Sequence, residues 1–149
     1  DTKPKLAYEE IIIGDELMVV YGAPLSSKDD TIRALNTAIE MQSRIMEMNQ
    51  NRKKRNESEI LVGAGINRGN VVSGNIGSRE MMDYTVIGDT VNLGSRLCSA
   101  AKPGEILVSK SVYETVKNEY SFTKLNPIQV KGKENKVAVF SINANFWKL

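Results

Sequence analysis

Two short apolar runs, Ile11–Ile13 and Leu17–Tyr21, stand on either side of the pair Gly14-Asp15. A Gly/Asp pair between β-rich runs is a two-residue hairpin signal, so the sheet must contain antiparallel pairing from its first strands. Residues 1–10 ahead of the hairpin are polar and are expected to form an irregular leader. Ala23-Pro24 ends the second strand, and Ser27 and Asp30 offer N-cap chemistry for a helix. Ile32, Leu35, Ile39 and Met46 keep helical spacing to about Met48. The basic run Arg52-Lys53-Lys54-Arg55 reads as a solvated helix end that complements the macrodipole.

Further along, Ile60–Asn67 and Asn70–Ser73 are β-rich and flank Gly69, and the segment DYTVIGD reads as another strand. A helix is expected from Asp89 or Thr90 through TVNLGSRLCSAA, stopped by Lys102-Pro103-Gly104. A short strand follows in GEILVS, then a helix over Lys110–Asn118 with Val112 and Val116 on one face. Residues from Phe122 to Ile142 alternate like strands, with a turn at Lys131-Gly132-Lys133. Strands mixed with helices, and hairpins among the strands, argue for an α/β or α+β sheet with some antiparallel pairing.

The chemistry is bounded by what is missing. The chain of 149 residues has no histidine, which removes Ser-His-Asp and Cys-His catalysis and His-based zinc sites. Any metal must be held by carboxylates and carbonyls, which favours magnesium, manganese or calcium. The single cysteine, Cys98, forms no internal disulfide and suits a reducing compartment. A net charge of +2 gives no case for nucleic acid, and no apolar run approaches the ~20 residues that span a bilayer. The expectation is one domain over residues 1–149, without nucleic-acid or membrane contact, placed in the cytoplasm, if need be as the intracellular part of a larger protein.

Gly63, Gly65 and Gly69 lie in the order of a loose dinucleotide-binding pattern. That fingerprint needs a helix directly after the glycines to receive the pyrophosphate. Asn70-Val71-Val72-Ser73-Gly74 prefer strand and turn, so the pattern fails, and no GxxxxGK[ST] loop replaces it. Gly69, Gly74 and Gly77 are expected to have structural roles.

Three ordered stretches then stand out: IIIGDELMVVYGAP, DYTVIGDTVNLGSRL and QVKGKENKVAVF. Together they resemble the class III adenylate and guanylate cyclase catalytic domain, over about Ile11 to Ile142, and YTVIGDTVNLGSRL is the diagnostic block. The resemblance implies a ferredoxin-like α+β cyclase fold, with a mixed, largely antiparallel sheet and flanking helices, and conversion of ATP to 3′,5′-cyclic AMP and pyrophosphate. It implies two Mg2+ or Mn2+ ions and a site at the interface of a homodimer, or with a cyclase-like partner. In that reading Asp15 is a metal-binding aspartate and Asn92 orients the ribose. Arg96, four residues on, stabilises phosphate, a task suited to a permanently charged planar fork. Thr85 takes the base-recognising position, and Lys131, with Lys133 beside it, contacts the triphosphate.

Two features depart from the family pattern. The family's first strand carries another metal aspartate in a motif resembling F-x-D-I-x-G-F-T, and none of the 14 residues before Asp15 fits it. The chain is therefore expected to be N-terminally incomplete relative to the family and impaired in two-metal chemistry on its own. Ile11 occupies the position where the family usually places a base-reading Lys or Glu. Adenine over guanine then rests on Thr85, and a guanylate cyclase is the rival within the family. The sequence also leaves open a catalytically impaired, nucleotide-binding or regulatory cyclase-like domain, and a purely structural interaction domain.

Overall fold

A computed structural model describes residues 8–23, 25–76 and 83–143. The first strands, β1 (Tyr8–Ile13) and β2 (Glu16–Tyr21), form the expected antiparallel hairpin. The turn is Gly14-Asp15, with Gly14 at φ +59°, and Ile13 pairs with Glu16. Pairing runs back to Tyr8 opposite Tyr21, so the strand begins inside the stretch expected to be irregular. The cause is the partner strand: every residue of β2 down to Tyr21 offers a ladder position, and Tyr8, Glu9 and Glu10 take them despite two being charged.

Helix α1 (Asp30–Lys54) is longer than its apolar spacing suggested and takes the basic run into its last turn. Just ahead of its start the Ser27 amide donates to the Asp30 carboxylate at 2.8 Å and closes the turn that leads into the helix. At its end Arg52 Nε donates to the Ser58 carbonyl and pairs with Glu57 at 3.2 Å. The basic run is thus partly spent on closing the turn after the helix.

The main sheet holds β3 (Ala64–Ile66), β6 (Ile106–Ser109), β8 (Val139–Ile142) and β7 (Phe122–Lys124), in that order. β3 runs parallel to β6, and the other pairs are antiparallel. A second hairpin, β4 (Val72–Ile76) with β5 (Asp83–Ile87), pairs Gly74 with Thr85. Gly77 lies outside the described residues. Helices α2 (Asp89–Ala100) and α3 (Lys110–Val116) complete the chain.

Alternation along the strands sorts the core into two layers. Ile106, Val108, Phe140 and Ile142 face α1 and α3 and pack with Leu35, Val112 and Val116. Leu107 and Val139 point to the opposite face, where Leu97 of α2 covers them. Both faces of β6 are buried, which is why GEILVS reads as a continuous apolar run and not an alternating one. Tyr113 stacks on Phe140 with ring centroids 4.0 Å apart and meets Phe122 edge-on at 5.4 Å. The fold is therefore α+β with a mixed sheet, as the sequence predicts.

Candidate active site

Helix α2 carries the most informative part of the site, and the sequence dictates how it sits. A Cβ on Gly65 would lie 2.7 Å from the Gly94 carbonyl oxygen and would overlap the Cys98 amide nitrogen. One on Gly63 would lie 2.9 Å from the Ala101 carbonyl, and one on Gly69 would lie 2.6 Å from Thr90 Oγ1. These glycines, which imitate a nucleotide-binding pattern in the sequence, instead let β3 and its following loop lie against the α2 backbone. With about 3.6 residues per turn, Thr90, Gly94, Leu97 and Ala101 form one stripe down the helix.

Asn92 and Arg96 project from the other side of α2, and both are exposed. They are one turn apart on one face, as their spacing predicts. Among the described residues Arg96 makes no ion pair, so its guanidinium is free to meet an anion. Thr85 lies on β5, four residues before the first residue of α2, and is placed there by backbone register alone. The structure therefore brings Thr85, Asn92 and Arg96 onto one strand–helix unit.

Asp15 is exposed at the tip of the β1–β2 hairpin. Burial pushes the Cys98 thiol above its ordinary range, with the charges of Glu16 and Asp15 adding to it. The thiol itself donates to the Gly63 carbonyl at 3.5 Å. Lys131 and Lys133 are exposed on a turn closed by the Ile128–Val137 bridge, with Lys133 N donating to the Val130 carbonyl at 3.1 Å. Neither lysine is brought into contact with Arg96 or Asp15 in this single chain.

A divalent ion would need several oxygen ligands. Among the described residues no group of three or more acidic, cysteine or histidine side chains is gathered in one place. Asp15 is one carboxylate, and the described residues do not complete a two-ion site around it. No helix among them is long and apolar enough to cross a membrane.

Sequence reading missed Asn67 and Thr90. Asn67 Nδ2 donates to the Thr90 carbonyl at 2.9 Å, and Thr90 Oγ1 donates to the Asn70 carbonyl at 2.7 Å. The partners are more than twenty residues apart or nearly so, and no local pattern announces them.

Fold and surface together define an α+β domain with Asn92 and Arg96 on an exposed helix face and Asp15 at an exposed hairpin tip. Residues 3–144 match the family described as the adenylate and guanylate cyclase catalytic domain. An adenylate cyclase of Anabaena cylindrica is 33% identical over 141 residues, covering 89% of this chain and 27% of that protein. The crystal structure of the adenylyl cyclase CyaB from P. aeruginosa superposes with a TM-score of 0.82 at 33% identity, over 90% of this chain and 70% of that one. The guanylyl cyclase Cya2 superposes with a TM-score of 0.79 at 32% identity, over 91% and 69%. The chain belongs to the class III adenylate and guanylate cyclase catalytic domain family. It spans 18% to 27% of the length of the curated relatives it matches.

Proposed function

We propose that the chain is the catalytic domain of an adenylate cyclase, converting ATP to 3′,5′-cyclic AMP and pyrophosphate. One observation carries the reading: α2 buries one face against β3 and leaves Asn92 and Arg96 together on the other, with Arg96 making no ion pair among the described residues. In the reaction the ribose 3′ oxygen attacks the α-phosphorus, the bond to the bridging oxygen breaks, and pyrophosphate leaves. Negative charge grows on the phosphate oxygens as the bond order shifts. A fixed guanidinium at Arg96 stabilises that charge more than the ground state, and this difference is what raises the rate. Asn92, one turn away, hydrogen-bonds the ribose and holds the attacking oxygen in line.

Thr85 is proposed to read the base, in favour of adenine over guanine. Lys131 and Lys133 are proposed to contact the triphosphate from the exposed turn. Mg2+ or Mn2+ ions are the proposed cofactors, with Asp15 as one ligand. The described residues do not complete that site, so the chemistry derived for this chain rests with Arg96 and Asn92. Asp15 of one copy, with Thr85, Asn92, Arg96 and Lys131 of a second copy or a cyclase-like partner, is proposed to complete the site. A cytoplasmic location is proposed with it, whether alone or as the intracellular part of a larger or membrane-bound protein.

That no group of three or more acidic, cysteine or histidine side chains gathers at Asp15 among the described residues favours a second reading, a nucleotide-binding domain of the same family without turnover. Calorimetry with ATP and manganese, run beside an assay for released pyrophosphate, separates the two. Pyrophosphate release that disappears in Arg96→Ala supports the cyclase, and ATP binding without release supports the second reading.

A further inference from the structure

The turn after β3 is a hub. Asn67 gives its amide N–H to the Thr90 carbonyl in the first turn of α2 at 2.9 Å, and its Oδ1 accepts from Ser111 Oγ of α3 at 3.3 Å. Thr90 reaches back to the Asn70 carbonyl. Ser111 Oγ also lies 3.2 Å from the Arg68 carbonyl and 2.9 Å from Ser109 Oγ, and Arg68 donates to Thr115 Oγ1 at 2.7 Å. Thr90 is therefore held from both sides, with Gly69 packed beneath it. Asn67 is only half-buried, and its bonds add no apolar burial. What they set is the rotation and height of the first turn of α2 over β3. Asn92 lies two residues beyond Thr90 on that helix and Arg96 six, so any tilt of this turn moves both.

We propose that Asn67 is a positioning residue. Its side chain clasps the Thr90 carbonyl, braced from α3, and so fixes where Asn92 and Arg96 stand. The proposal deepens the cyclase reading and rests on it for the roles of those two residues. A neutral hydrogen bond contributes modestly to stability, whereas a small misplacement of a charge-stabilising group costs rate directly. Asn67→Asp keeps the shape and the acceptor for Ser111 but removes the donor to Thr90.

The test uses the full-length protein with saturating manganese, unsubstituted and as Asn67→Asp, with Asn67→Ala, which also withdraws the donor from the Thr90 carbonyl, as a second variant should the first fail to fold. Expected is a kcat lower by about tenfold, KM within about twofold, and a melting temperature lower by only about a few degrees. An unchanged kcat, or a loss that merely follows the loss of folded protein, overturns the proposal. Amide exchange at Asn92 to Arg96 is measured in parallel and needs no turnover. Exchange about tenfold faster there, with α3 unaltered, supports the clasp, and unaltered exchange overturns it. If the unsubstituted protein forms no cyclic nucleotide, the cyclase reading fails on that count while the exchange result still decides the clasp.

Discussion

The β3–β6–β8–β7 sheet and the β1–β2 hairpin carry different parts of the proposed site and are held in different ways. The sheet is covered on both faces, with Val108 and Leu97 fully buried, and α2 rests on it backbone to backbone. The hairpin pairs only with itself among the described residues, and its cross-strand partners Ile12 and Leu17 are 76% and 42% exposed. It is tied to the rest near its base, where the Tyr21 hydroxyl hydrogen-bonds Thr37 and Arg33 lies over the Tyr21 ring at 5.2 Å. A two-stranded hairpin is marginal by itself. Arg96 thus stands on the rigid part of the molecule and Asp15 on the part with most freedom to move. A site made from both is fixed on one side and adjustable on the other.

The largest expected effect breaks the rigid part. Gly65→Val forces side-chain atoms into the Gly94 and Cys98 backbone and should cost more than about 4 kcal/mol, enough to prevent folding. A urea titration that finds Gly65→Val folded with ordinary stability breaks the close-approach account. Leu97→Ala comes next. It empties a fully buried position under the sheet and should cost about 3 kcal/mol by denaturant midpoint.

Cys98, half-buried on α2, gives a smaller signal. Its raised thiol pKa means the folded chain keeps a proton that the unfolded chain releases. Stability should therefore fall as pH rises past about 8.5, and Cys98→Ser should flatten that slope. Alkylation of the native thiol should also be slower than that of the unfolded chain. Ile12→Thr should change stability least, by less than about 0.5 kcal/mol. A loss above about 2 kcal/mol would mean that the hairpin face is covered by something in solution.

How far the sequence foretold these regions depends on how local the cause is. The β1–β2 turn was legible because Gly14-Asp15 specifies it within two residues. The α2 start and its Asn92–Arg96 face were legible because helical spacing is a property of the helix alone. The beginning of β1 at Tyr8 was not, because its charged residues are held by ladder bonds to β2 and not by an apolar pattern. β3 proved shorter than the β-rich stretch around it, and β4 began at Val72 instead of Asn70, since pairing with distant strands sets those limits. Gly63, Gly65 and Gly69 were visible, but what they make room for lies far along the chain, as Ala101 does from Gly63, and the chain order alone does not show it. Asn67 gave no signal, since both its partners arrive from other elements.

The most direct measurement is cyclic AMP and cyclic GMP formation by the full-length protein with saturating manganese, with Arg96→Ala as its pair. The account predicts cyclic AMP in excess of cyclic GMP and a loss of at least about a hundredfold in Arg96→Ala, whose melting temperature should not move because the residue is exposed. Cyclic nucleotide formation undiminished by Arg96→Ala, or none from the unsubstituted protein, would contradict it.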